Sequence, residues 1–101
     1  MNDATRFSIA ADHACLAGHF PGRPIVPGVL LLEHAVAAIE AVHGPLRGLR
    51  FPQVKFLLPL LPGEVAWVEF ESTGAADARR WRFRVLREDG SVLASGEASA
   101  E

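Results

Sequence analysis

The sequence predicts an α+β fold in which one long helix lies against the concave face of a curved antiparallel β-sheet. Three observations point there. A single Leu- and Ala-rich run, GVLLLEHAVAAIEAVHG, is bracketed by Pro27 and by Gly44-Pro45. The segments after it alternate with a period of two, most sharply where Trp81, Phe83 and Val85 interleave with Arg80, Arg82 and Arg84. Glu88-Asp89-Gly90-Ser91 carries the Asp-Gly hairpin signal. One apolar helix beside a run of strands is the α+β pattern.

The elements follow in order. Arg6 to Ala11 is a short strand. Asp12 to Pro27 is a loop, punctuated by Gly18, Pro21, Gly22, Pro24 and Pro27. The helix then starts with Pro27 in its first turn, where a missing N–H costs nothing. Gly44 and Pro45 stop it, with His43 near the negative end of its dipole. Leu49 to Leu58, Val65 to Ser72, Arg79 to Arg87 and Val92 to Ala98 are strands, expected to be joined by short turns, the first of them PLLPGE.

Length and composition bound the function. The chain has 101 residues, which suits a single domain over 1–101. Half the residues are hydrophobic, rich for so small a unit, so a second copy is expected to cover some apolar surface. The net charge of −2 gives no global attraction to nucleic acid or an anionic membrane. No basic segment followed by an apolar run opens the sequence, so no signal peptide is expected. No apolar stretch reaches the roughly 18 residues of a membrane span. Cys15 is the one cysteine, so no internal disulfide can form, and no Cys/His metal-ligand spacing occurs. A cytoplasmic location is the default expectation.

Glu33 is the first functional clue. Val29 to Leu32 and Ala35 to Ile39 surround it with apolar residues, and a helix apolar all round is usually buried. Burial disfavours a charged carboxylate, and a carboxyl that keeps its proton near neutral pH can act as a general acid. The competing reading is a solvated stripe of Glu33, Glu40 and His43, since glutamate is rarely buried. Gly28 supplies the first backbone N–H after Pro27, at the positive end of the helix. Glycine also lets a ligand approach the backbone closely.

The run Gly18 to Glu33, GHFPGRPIVPGVLLLE, resembles the signature of the 3-hydroxyacyl-acyl-carrier-protein dehydratases of bacterial fatty-acid synthesis. In that family a His-Phe-Pro-Gly loop leads through Pro-x-x-Pro-Gly into the central helix of a hotdog fold. Val54-Lys55-Phe56 and Leu61-Pro62-Gly63-Glu64 echo the family's next strand and turn. The resemblance places the family's catalytic histidine on His19 and its acid on Glu33. Ala37 stands where the fatty-acid branch carries a glutamine that helps hold the carboxylate. The chain lacks that branch's leading helix and looks more like the compact dehydratases of aryl polyene or polyketide synthesis. The branch that also isomerises the double bond has aspartate at the acid position, so Glu33 implies dehydration alone.

The implied reaction converts a 3-hydroxyacyl thioester, carried on the phosphopantetheine of acyl carrier protein, to the trans-2-enoyl thioester, without a cofactor or metal. His19 removes the C2 proton, a task suited to neutral imidazole. Glu33 protonates the leaving hydroxyl, and the Gly28 N–H receives the thioester carbonyl. Phe20, Pro21, Gly22, Pro27 and Val29 form the site loop, with the prolines stiffening it. The family's sites lie between two subunits, so a homodimer is implied. Its acyl tunnel would draw walls from Phe20, Leu30, Leu31, Phe56 and Leu58, although ordinary core is the favoured reading for any one of them.

Weaker signals have ordinary alternatives. Arg80, Arg82 and Arg84, with Arg79 and Arg87 nearby, could dock an acidic carrier or form a solvated outer sheet face. His13 and His34 lack a third metal ligand. Cys15 near His19 suggests a nucleophile, but the loop motif accounts for His19 without it. Two rival functions share the fold: a thioesterase, and a non-catalytic acyl-binding module.

Overall fold

A computed structural model describes residues 3–10, 25–75 and 78–101, with residues 3 and 4 described by their backbone alone. The element order is β1 (Asp3–Ser8), α1 (Gly28–His43), β2 (Arg50–Phe56), β3 (Val65–Ser72), β4 (Arg80–Arg87) and β5 (Val92–Ser99). The α+β expectation therefore holds. β1 runs earlier than the expected Arg6–Ala11 because its partner sets its extent: Asp3 pairs with Phe70 and Ser8 with Val65, where β3 begins.

The sheet order is β1-β3-β4-β5-β2, with every neighbouring pair antiparallel. This corrects the expected succession of short turns. β3, β4 and β5 do form a meander, but β2 pairs with β5 at the opposite edge from β1. The chain between β2 and β3 is thus a strap across one end of the sheet, not a hairpin turn. Leu57 and Leu58 donate backbone N–H bonds to the Leu93 carbonyl, Val26 donates to Leu60, and Gly63 donates to Ile9.

The inner sheet face is apolar and the outer face charged, as the alternation requires. Val68, Phe70, Trp81, Phe83, Val85 and Leu93 are buried beneath Leu30, Leu31, Ala35, Ala38 and Ile39 of α1 in one core. The small Ala35 and Ala38 let the helix approach the sheet closely. Pro27 precedes α1 as its N-cap residue, one place earlier than expected, with extended backbone at φ −59° and ψ 140°. At the other end Gly44 takes φ 81° and donates its N–H to Glu40, the positive-φ cap that glycine adopts without strain.

Candidate active site

Among the described residues, no side chain caps the start of α1 and no acidic residue stands in its first turn, so its positive end is neutralised by neither. Beside it lies an apolar groove of about 490 Å³ between α1 and the strap, lined by Gly28, Val29 and Leu31 on one side and Phe56 to Leu60 on the other. A methyl group on Gly28 would come within 2.7 Å of the Phe56 ring. Glycine here keeps the helix start and the aromatic ring in contact.

Of the expected tunnel walls, Leu31, Phe56 and Leu58 line this groove. Leu30 instead belongs to the core, at 4% exposure. Phe20 lies outside the described residues. The groove also takes Leu57, from the end of the expected Leu49–Leu58 strand, and Pro59 and Leu60, from the expected PLLPGE turn, none of which the sequence marks as a wall. A signal was present, since four leucines in the run from Leu57 to Leu61 are too apolar for a solvated turn. Phe56, Leu57 and Leu61 remain about half exposed in the single chain.

Glu33 is exposed, which corrects the expectation that the apolar helix buries it. The sheet covers one face of α1 only. Val29, Glu33, Ala37 and Ala41 recur every fourth residue, so they share the opposite face, and all four are exposed. A helix apolar on every side is thus half open here. Glu33 stands one turn beyond the groove-lining Val29, about 7.5 Å along the axis from Gly28. Ala37, one turn further on, offers no side-chain donor to the carboxylate.

The solvated-stripe alternative fits Glu33 and His43, which are both exposed, and fails at Glu40. Glu40 is half-buried, and its carboxylate accepts the Leu46 N–H at 3.0 Å. The His43 ring lies 5.2 Å from Trp81 and 6.1 Å from Phe70. His34 stacks on Phe7 with ring centroids 4.0 Å apart, so it serves the packing between α1 and β1. His13, Cys15, His19, Phe20, Pro21 and Gly22 lie outside the described residues.

The arginine strip sits on the outer sheet face, but that face is not uniformly basic. Arg84 meets Glu69 at 2.6 Å and Arg82 meets Glu71 at 3.7 Å. Both are cross-strand partners in register. Exposed pairs of this kind contribute little to stability, yet they neutralise the strip locally. Arg80 is exposed at the sheet end. Among the described residues, no helix is long and apolar enough to cross a membrane.

A long helix held by a curved antiparallel sheet, with an apolar groove at the helix start and a carboxylate one turn on, has the build of the hotdog enzymes. Within that class, the chain belongs to the ApeI-like dehydratase family, whose model matches residues 2–97. It is also similar to 3-hydroxyacyl-acyl-carrier-protein dehydratase FabZ of Bradyrhizobium sp. (strain ORS 278), with 30% identity over 103 residues, covering 92% of this chain and 68% of that protein. Among solved structures, the dehydratase heterocomplex ApeI:P from Xenorhabdus doucetiae matches at a TM-score of 0.78 and 20% identity, over 97% of this chain and 85% of that one. The (R)-hydratase from A. caviae involved in PHA biosynthesis matches at 0.71 and 19%, over 100% and 95%. The last two likenesses speak to the fold.

Proposed function

We propose that this chain dehydrates a 3-hydroxyacyl thioester, delivered by acyl carrier protein, to the trans-2-enoyl thioester in fatty-acid or polyketide-type synthesis. The observation that carries the reading is the placement of Glu33 on the open face of α1, one turn from an apolar groove that begins at an uncapped helix start. The groove takes the acyl chain. The thioester carbonyl meets the Gly28 N–H, where a well-aimed donor stabilises developing negative charge.

His19 takes the C2 proton. The C2–H electron pair becomes the C2–C3 π bond, and the C3–O bond breaks. Glu33 gives its proton to the departing hydroxyl, which leaves as water. The imidazolium proton returns to the carboxylate through solvent to reset the pair. Each positioned proton transfer is worth about 10²–10⁴ in rate.

A second copy of the chain completes the site in this reading. The exposed Val29, Glu33, Ala37 and Ala41 face is where it would sit, and its approach would remove Glu33 from bulk water. The FabZ relative's name supports the carrier-linked substrate, and the Xenorhabdus complex supports assembly with another chain. The test is to incubate the purified protein with a 3-hydroxyacyl thioester of acyl carrier protein. Appearance of enoyl absorbance without free thiol supports dehydration. Release of thiol marks a thioesterase, and no reaction marks a binding module.

A further inference from the structure

Arg87 has no part in the proposed reaction, yet among the described arginines it is the one bonded to the groove wall. It lies at the end of β4, where the hairpin to β5 holds it: its N–H donates to Ser91, and its carbonyl accepts from Gly90. From this fixed base its Nη2 donates to the Pro59 carbonyl at 2.6 Å. Its Nε is buried and faces the Glu64 carboxylate at 3.6 Å. The other oxygen of that carboxylate accepts the Leu61 N–H at 2.8 Å.

These bonds fall on both sides of Leu60. Its side chain is fully buried, it forms part of the groove wall, and its carbonyl accepts the Val26 N–H just before α1. The strap is otherwise rich in exposed leucines and contains no regular element of its own. Arg87 and Glu64 therefore fix one wall of the groove relative to the helix start.

We infer that Arg87 and Glu64 are positioning residues that set acyl-chain selectivity, by clamping the Pro59-Leu60-Leu61 wall of the groove. The inference rests on the reading of that groove as the acyl site. Neither residue touches the reacting carbons. Their effect falls on the chain end that lies along the wall, and it grows with the length of the acyl group.

The experiment compares wild type, R87M, R87K and E64Q with 3-hydroxybutyryl and 3-hydroxydecanoyl thioesters. In R87M the ratio of decanoyl to butyryl KM rises about tenfold, the scale of a displaced hydrophobic wall, with kcat moving little. R87K keeps the charge and a donor and recovers part of the selectivity. E64Q, which keeps the Leu61 acceptor, gives a smaller shift and covers the case in which R87M does not fold. Calorimetric binding of decanoyl-pantetheine with an amide in place of the thioester gives a second readout, independent of turnover. If the wild type dehydrates nothing, the functional reading fails, but weaker binding by R87M still supports the clamp. Equal KM shifts for both chain lengths, unchanged binding in R87M, or no binding by the wild type would overturn it.

Discussion

The ring of Phe56 lies directly against the α-carbon of Gly28, so closely that a methyl group there would stand 2.7 Å from its Cε1. Strand β2 and the start of α1 thus meet at one point, where the groove begins. Gly28→Ala is expected to push the ring into the groove and displace the thioester carbonyl. A misplacement of about 1 Å costs on the order of 10²-fold in rate. Phe56→Leu in the same chain should restore much of the loss, because the collision is with the ring's far edge. A double-mutant cycle on kcat/KM measures the coupling. Independent effects of the two changes would remove the steric explanation.

Glu33 makes no buried contact in the single chain, so Glu33→Gln is expected to leave chain stability within about 0.5 kcal/mol. Its expected effect is on chemistry: kcat lower by about 10²–10⁴, the range for a lost general acid. Melting curves and steady-state kinetics on the same preparation check both halves. A folded Glu33→Gln variant with full turnover would assign the acid to another residue.

Gly96 sits on β5 opposite Phe83 of β4 and Val54 of β2. A methyl group there would collide with the Gln53 carbonyl oxygen and press on the Phe83 ring at 3.0 Å. The first neighbour is backbone and cannot turn aside. Gly96→Ala should therefore destabilise the fold by about 1–3 kcal/mol, the usual cost of overpacking. Denaturant titration reads the change, and a variant as stable as the parent would mean that β2 shifts freely along β5.

The hairpin carries its own pH signature. The Ser91 hydroxyl and then the Ser91 N–H, with a smaller contribution from Arg87, hold the Asp89 carboxyl below its ordinary value of 3.8. The backbone bond measures 2.9 Å. A folded-state value below the unfolded one means stability present above the unfolded value and lost as pH falls through the folded one. Carboxyl NMR titration should place the Asp89 midpoint below 3.8, and Ser91→Ala should raise it. A midpoint at or above the ordinary value contradicts the turn geometry.

Much of the fold was legible in the sequence because its signals are local. Pro27 and Gly44-Pro45 bracket α1 by backbone chemistry, and the Trp81-Phe83-Val85 alternation sorts β4 into an inner and an outer face. What escaped was long-range. Nothing local says that β2 crosses to pair with β5, because strand pairing is decided by the whole sheet. The strap was missed for the same reason, and with it Leu57, Pro59, Leu60 and the Arg87–Glu64 clamp. Glu33 stands on α1 as expected, but it is exposed rather than buried. Apolar composition counts every face of a helix, whereas a single sheet covers one. The Arg80-Arg82-Arg84 strip looked basic because its counterions, Glu69 and Glu71, lie on the neighbouring strand.

In the proposed dimer, as the family resemblance implies, His19 of one chain works with Glu33 of the other beside the groove at the start of α1. Mixing two inactive variants tests it most directly. His19→Ala and Glu33→Gln chains, each folded and inactive alone, are combined, exchanged and assayed for enoyl formation. A site shared between chains predicts recovery to about a quarter of wild-type activity, since random exchange makes half the dimers mixed and each mixed dimer holds one intact pair. No recovery, with mixed dimers present by native mass spectrometry, would contradict it.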